Sequence, residues 1–166
     1  MRSLVVLAAV LASVLAGGTA GGARSAACTL SSFTGTFKVV PGSAGAGNIV
    51  YKLRLVNHSG STCAFSTSPA LRLLDKHGHA LPTHAKFPPK LIATINIAPG
   101  KAAIATARFS PDIPSRGEPL NGPCEKRAFK LRVGLGPTNA LKVPIKPPTM
   151  VCGRGSMVFR AIHQGS

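Results

Sequence analysis

An all-β fold, a single immunoglobulin-like β-sandwich of about seven to nine strands, is what this sequence predicts. Three observations lead there. Apolar residues recur at every second position in short runs, the period of a half-buried strand. The 18 glycines and 14 prolines interrupt those runs so often that long helices are disfavoured. Four cysteines, Cys28, Cys63, Cys124 and Cys152, stand between runs and never in a CxxC pair, which suits two disulfides and not a zinc or redox motif. A closed barrel of the same strands is the alternative. With no Trp in the chain, the antibody-domain pattern of two cysteines around a tryptophan is missing.

Taken in order, residues 33–40 set Phe33, Gly35, Phe37 and Val39 on one face against Thr34, Thr36, Lys38 and Val40. A Gly-rich turn at 41–47 leads into 49–56, where Ile49, Tyr51, Leu53 and Leu55 alternate with Val50, Lys52, Arg54 and Val56. The two runs make a natural hairpin. The stretch 57–78 then organises the chain. It turns through Asn57, Ser59 and Gly60, carries Cys63, and crosses through Pro69 into a strand at 71–74 with Arg72 outward. It stops at a turn centred on Gly78. Residues 82–90 read as an irregular, Pro-rich connection. Strands follow at 91–97 and 102–109, joined by Pro99-Gly100. A long loop occupies 110–123. Phe129, Leu131, Val133 and Leu135 then alternate with Lys130, Arg132 and Gly134, and a turn at 136–139 precedes Leu141, Val143 and Ile145. Lys146-Pro147-Pro148 is expected to end that run, and 157–162 forms the last strand.

The domain begins after a leader. Met1-Arg2 is a short positive start, 4–16 is apolar, and small residues fill 17–23. That order is a secretory signal peptide, shorter than the roughly 20 residues that span a bilayer. Cleavage is expected after Ala20 or Ala27, giving a processing region 1–27 and a mature domain 28–166 with no transmembrane span. Ser25-Ala26-Ala27-Cys28 departs from a lipobox where Ser25 replaces the expected Leu, so the expected product is soluble, secreted and envelope-associated.

Charge is the main anomaly. Twenty Lys and Arg face four Asp and Glu, a formal +16, which becomes +14 once Arg2 and Arg24 leave with the leader. Such a chain is drawn to polyanions. The strand pattern turns Lys52, Arg54, Arg72, Lys130, Arg132 and Lys142 outward, making them the candidate polyanion-binding residues. They are interspersed, and the aromatics, all Phe but for Tyr51, fall on apolar faces, so a specific nucleic-acid site is not indicated.

Enzymatic signatures are few. The four carboxylates, Asp75, Asp112, Glu118 and Glu125, suggest no hydrolytic pair. There is no GxSxG elbow. Gly153-Arg154-Gly155-Ser156 has the composition of a phosphate nest without the strand–loop–helix setting. His77, His79 and His84 are the candidate metal ligands. No catalytic residue and no cofactor is implied.

Asn57-x-Ser59-Gly60-x-x-Cys63, Pro69, Leu71-x-Leu73-Leu74-Asp75-x-x-Gly78 and Ile97-x-Pro99-Gly100 follow one another in that order. In this the chain resembles an actinobacterial family of secreted or lipid-anchored domains known only as a domain of unknown function, DUF4232. The resemblance covers roughly 28–162. It implies a β-sandwich in or outside the cell envelope and brings no catalytic residues. Thr67 departs from the family pattern, which often has Gly two residues before the Pro.

Hairpin geometry pairs the cysteines. Cys28 precedes the first strand of the first hairpin and Cys63 follows its second strand. Cys124 and Cys152 flank the hairpin of 129–135 and 141–145 in the same way. Antiparallel pairing brings such flanks within bridging distance, so Cys28–Cys63 and Cys124–Cys152 are expected. The functional expectation is a non-catalytic secreted domain that binds anionic cell-wall polymers or envelope proteins. The alternative is a small extracellular metal-binding protein or enzyme using His77, His79 and His84.

Overall fold

The computed structural model describes residues 28–88, 93–134 and 139–165. The leader, Leu91 and Ile92 of a predicted strand, and Leu135 through Thr138 around a predicted turn lie outside the described residues.

Among the described residues there are eleven strands: β1 Phe33–Val39, β2 Ile49–Asn57, β3 Cys63–Ser66, β4 Ala70–Leu74, β5 His84–Lys86, β6 Thr94–Ile97, β7 Ala102–Phe109, β8 Ala128–Gly134, β9 Ala140–Thr149, β10 Ser156–Phe159 and β11 His163–Gly165. Among the described residues the right-handed helical structure is one 3-10 turn at Leu30–Ser32, while Cys152–Gly155 is a turn whose Gly153 and Arg154 have left-handed backbones. Nine strands form one sheet in the order β4-β8-β9-β1-β2-β7-β10-β5, with β11 also on β7, while β3 and β6 make a separate ribbon. The fold is all-β with both predicted disulfides, Cys28–Cys63 and Cys124–Cys152, at Cα separations of 5.2 and 5.5 Å. Strand β9 joins what would be two sandwich layers, so the sheet curls into a near-barrel.

That junction corrects the expectation that Lys146-Pro147-Pro148 ends a strand. β9 continues through it to Thr149. It pairs antiparallel with β8 from Ala140 to Pro144 and again at Thr149. Between those points it leaves β8, and Ile145 and Lys146 pair in parallel with Phe37 and Lys38 of β1. Prolines are tolerated there because the bulged segment owes fewer ladder hydrogen bonds.

Other differences are short strands that need tertiary partners to be seen. β5 lies inside the stretch expected to be irregular and pairs in parallel with β10. β3, in a stretch where no strand was expected, pairs with β6. The predicted last strand at 157–162 is the shorter β10, and a further strand, β11, follows beyond it, both on β7. Thr67, the departure from the family pattern, extends the β3–β6 ribbon. Its hydroxyl donates to the Ala93 carbonyl at 2.9 Å and accepts from the Ala93 N–H at 2.8 Å, bonds a glycine could not make.

The core is one apolar cluster inside the curled sheet. Phe37 meets Tyr51 and Phe159 at centroid distances of 5.2 and 6.4 Å, and Tyr51 meets Phe109 at 5.2 Å. The Tyr51 hydroxyl donates to the Pro147 carbonyl at 2.9 Å, which satisfies its polar end inside the core. Gly35 lets β1 and β9 approach, since a Cβ there would lie 2.5 Å from a Val143 methyl. From the ribbon, Phe65 reaches Phe33 edge-on at 5.7 Å.

A buried amide holds the ribbon to the sheet. Asn57 is fully buried at the end of β2. Its Nδ2 donates to the carbonyls of Ser61 and Ile97 at 2.8 and 2.9 Å. Its Oδ1 accepts from the Ser59 N–H at 2.9 Å and hydroxyl at 2.7 Å. Its backbone N–H donates to Lys101 O and its carbonyl accepts from Gly100 N–H. One residue, through its side chain and backbone, thus ties the approach to β3, the end of β6 and the β6–β7 turn to β2. A buried polar group left without partners costs about 1–3 kcal/mol, and Asn57→Ala strands more than one such group. Asn57→Ala is expected to lower unfolding free energy by about 3 kcal/mol or more. Asn57→Asp should do no better, because it loses both donors and buries a charge. Urea denaturation of the three proteins checks this.

Candidate functional site

The Gly-Arg-Gly-Ser motif is an anion nest already filled by the protein. Gly153, Arg154 and Gly155 all have left-handed backbones, with φ of 71°, 55° and 77°. Successive residues in that conformation point their N–H groups into one concavity, and glycine tolerates it at little cost. The Glu118 carboxylate occupies the concavity. Its Oε2 accepts from Gly153 and Ser115 N–H at 2.9 and 2.7 Å, and its Oε1 accepts from Arg154 N–H at 2.6 Å. The Ser115 amide, then those of Arg154 and Gly153, hold Glu118 below the usual carboxylate range against the opposing effect of desolvation. Glu118 also lies within 4.8 Å of the Cys124 and Cys152 sulfurs. Those sulfurs are bonded to each other, so they are not thiolate ligands for a metal. The carboxylate is a clasp holding loop 110–123 onto the disulfide.

The histidines separate. His77 and His79 share the turn after β4, their rings 5.9 Å apart. His79 Nδ1 lies 3.2 Å from Asp75 Oδ2. Asp75 Oδ1 accepts from the N–H groups of His77 and His79 at 2.9 and 2.8 Å. Although desolvation raises the Asp75 pKa, these bonds from His79 and His77 outweigh it and hold the carboxyl low. Gly78, with φ of 90°, closes the turn as predicted. His84 sits on β5, and among the described residues the three imidazoles do not converge on one coordination sphere.

Beside that turn lies a groove of about 530 Å³, with Pro123, Phe129 and Met150 among its apolar lining and Asp75, His77, Glu125 and Arg127 among its polar lining. Phe129 was expected to face inward with Leu131 and Val133. A register shift between Ala128 and Lys130 leaves it half-buried in the groove instead, as bulges re-aim side chains.

The predicted basic residues fall into rows. Arg72, Arg132 and Lys142 are direct cross-strand partners on β4, β8 and β9. Lys130 shares their face two residues along β8. On the other side of β9, Lys146, Lys38 and Lys52 are partners on β9, β1 and β2. Arg54 lies on the same face as Lys52. Thr36, Lys38, Lys52 and Arg54 line a shallow groove of about 410 Å³. Lys38 and Lys146 were not among the sequence candidates. The outward parity of Lys38 was visible, whereas Lys146 was hidden by the expected strand end. Among the described residues no carboxylate pairs with Lys38, Lys52, Lys142 or Lys146. Like charges directly opposite across strands are unfavourable, so the row Lys146–Lys38–Lys52 is held together against repulsion.

A family profile described as a domain of unknown function (DUF4232) matches residues 28–161. No curated protein matches the chain, and no solved structure matches it.

Two outcomes follow from this geometry. Because native hydrogen bonds hold Glu118 below its ordinary value of 4.5, its stabilisation is complete above that value and is lost as pH falls through the lowered native one. Protection of the Gly153 and Arg154 amides, corrected for intrinsic exchange, should therefore fall in acid. Glu118→Gln should reproduce that loss at neutral pH and speed tryptic cleavage after the exposed Arg116. For the lysine row, Lys38→Thr should stabilise the fold by a few tenths to about 1 kcal/mol, read from urea midpoints.

Proposed function

The chain belongs to the DUF4232 family, a domain of unknown function, and on that premise we propose that it is a non-catalytic extracellular module that holds anionic polymers of the cell envelope. The observation that carries this reading is the pair of cross-strand cation rows, Arg72–Arg132–Lys142 and Lys146–Lys38–Lys52. A row of like charges costs stability when empty and favours binding of opposite charge. The exposed turns and loops supply no compensating acidic row, since the chain has only four Asp and Glu in 166 residues.

Support for an extracellular setting comes from the two disulfides, which form and persist in oxidising compartments. Support for a non-catalytic role comes from the engagement of Asp75 and Glu118 with backbone amides. Such carboxylates are acceptors tuned to stay ionised, unlike general acids, whose pKa is raised. Placement of His84 on β5, apart from His77 and His79, weighs against the metal-binding alternative.

Retention on teichoic acid, heparin and DNA resins tests the reading. Screening shortens from about 10 Å at 0.1 M salt to about 3 Å at 1 M, so retention should be strong at low salt and fade across that range. Elution from all three near physiological salt would mean that the charge is compositional only. Retention at 1 M would mean a specific pocket carries the binding. Stoichiometric micromolar metal binding lost in a His77→Ala, His79→Ala variant would favour the alternative.

A further inference from the structure

Strand β9 joins the two cation rows. It is the central neighbour of both β8 and β1, and it contributes Lys142 to one row and Lys146 to the other. Four residues apart on one strand, these two lysines share a face, separated by roughly 13 Å at about 3.3 Å per residue. Between them stands the exposed Pro144, the partner of Lys130. The rows are therefore two ends of one stepped stripe, Arg72, Arg132, Lys142, Lys146, Lys38, Lys52, crossing five adjacent strands. With strands about 4.8 Å apart, the path is roughly 30 Å long.

We propose that this stripe is the docking track for one linear, base-free phosphodiester polymer of the poly(glycerol phosphate) class lying across the five strands. The inference rests on the polyanion reading above and deepens it by fixing place and ligand class. Charge complementarity names the occupant. A stripe of single cations stepped along a path matches a flexible chain with one charge per repeat, and matches poorly a compact anion that could meet only one row. Four of the six positions are lysines, which bind phosphate as point charges without demanding one orientation. Among the described residues no fully exposed aromatic ring accompanies the stripe, the half-buried Phe129 being turned into the groove beside Asp75 and His77. The ring contacts of Phe33, Phe37, Tyr51, Phe65, Phe109 and Phe159 lie in the core. A nucleic acid would thus gain its phosphate contacts but no base stacking.

The stripe also explains why the rows persist despite repulsion. A ligand that neutralises Lys38, Lys146 and Lys52 together removes the unfavourable pairs, so bound polymer should raise thermal stability. Lys38→Thr should blunt that gain even as it stabilises the free protein.

The experiment is titration with poly(glycerol phosphate) of graded length, using the wild type, a stripe variant and an off-stripe variant. The stripe variant is Lys38→Ser, Lys146→Ser. The off-stripe variant, Lys126→Ser, Arg127→Ser, removes the same charge from the rim of the Phe129 groove. Affinity should rise with length until the chain spans the stripe, then level. If all six cations meet phosphate, log K against log salt should slope at about −4, and the stripe variant should be shallower by about 1.4. The stripe variant should bind about thirtyfold more weakly, and the off-stripe variant within a few-fold of wild type. Equal losses in both variants would overturn the track and leave the general polyanion reading standing. Absence of binding to every polymer at low salt would remove both. Tighter binding of single-stranded DNA of matched charge would overturn the assignment to a base-free polymer in favour of a nucleic-acid surface. Circular dichroism of both variants guards against misfolding, and a Lys38→Arg, Lys146→Arg variant that keeps the affinity shows that charge is what binds.

Discussion

The buried amide of Asn57 is the constraint on which the rest of this fold depends. The sheet alone leaves the β3–β6 ribbon without a fixed position, because the ribbon shares no ladder with the nine strands. Phe65 supplies apolar contact with Phe33, but burial is non-directional and does not set a register. Asn57 sets it. Its two donors and its acceptor address Ser61, Ile97 and Ser59, and its backbone addresses the turn at Gly100 and Lys101. The Cys28–Cys63 bridge then locks the same corner covalently. A polar side chain buried this way is favourable only when all of its hydrogen-bonding capacity is used, and among the described residues no buried side-chain nitrogen or oxygen lacks a partner.

This corner also explains what the family motifs are. Asn57, Ser59 and Cys63 from one motif and Ile97, Pro99 and Gly100 from another lie far apart in sequence, yet they meet around one amide. Asp75 and Gly78 of the hairpin motif form a self-contained turn. The residues that make the chain recognisable are therefore assembly points of the fold.

Much of the fold was legible because its long strands obey local rules. β1, β2, β7 and β8 alternate with period two, and their bounds fall within a residue or two of those read from the pattern. The disulfide pairing was legible for the same reason, since hairpin flanks meet whatever lies beyond them. What was not legible is what non-local pairing decides. Three-residue β5 has no pattern of its own and exists because β10 lies beside it. The passage of β9 through Pro147 and Pro148 depends on β1 accepting Ile145 and Lys146. The inward expectation for Phe129 failed at a bulge, which shifts parity without changing composition. The basic residues were legible one at a time through strand parity. Their alignment into rows was not, because register across strands is a tertiary property.

The acidic residues complete the electrostatic picture. A chain with twenty cationic side chains and four carboxylates could use those four to neutralise the basic face. It does not use Asp75 or Glu118 that way. Asp75 is bound to the amides of His77 and His79, and Glu118 to those of Ser115, Gly153 and Arg154. Backbone N–H groups compensate both charges locally, so neither carboxylate is drawn toward a lysine. The acids thereby close two loops, and among the described residues no carboxylate pairs with Lys38, Lys52 or Lys146.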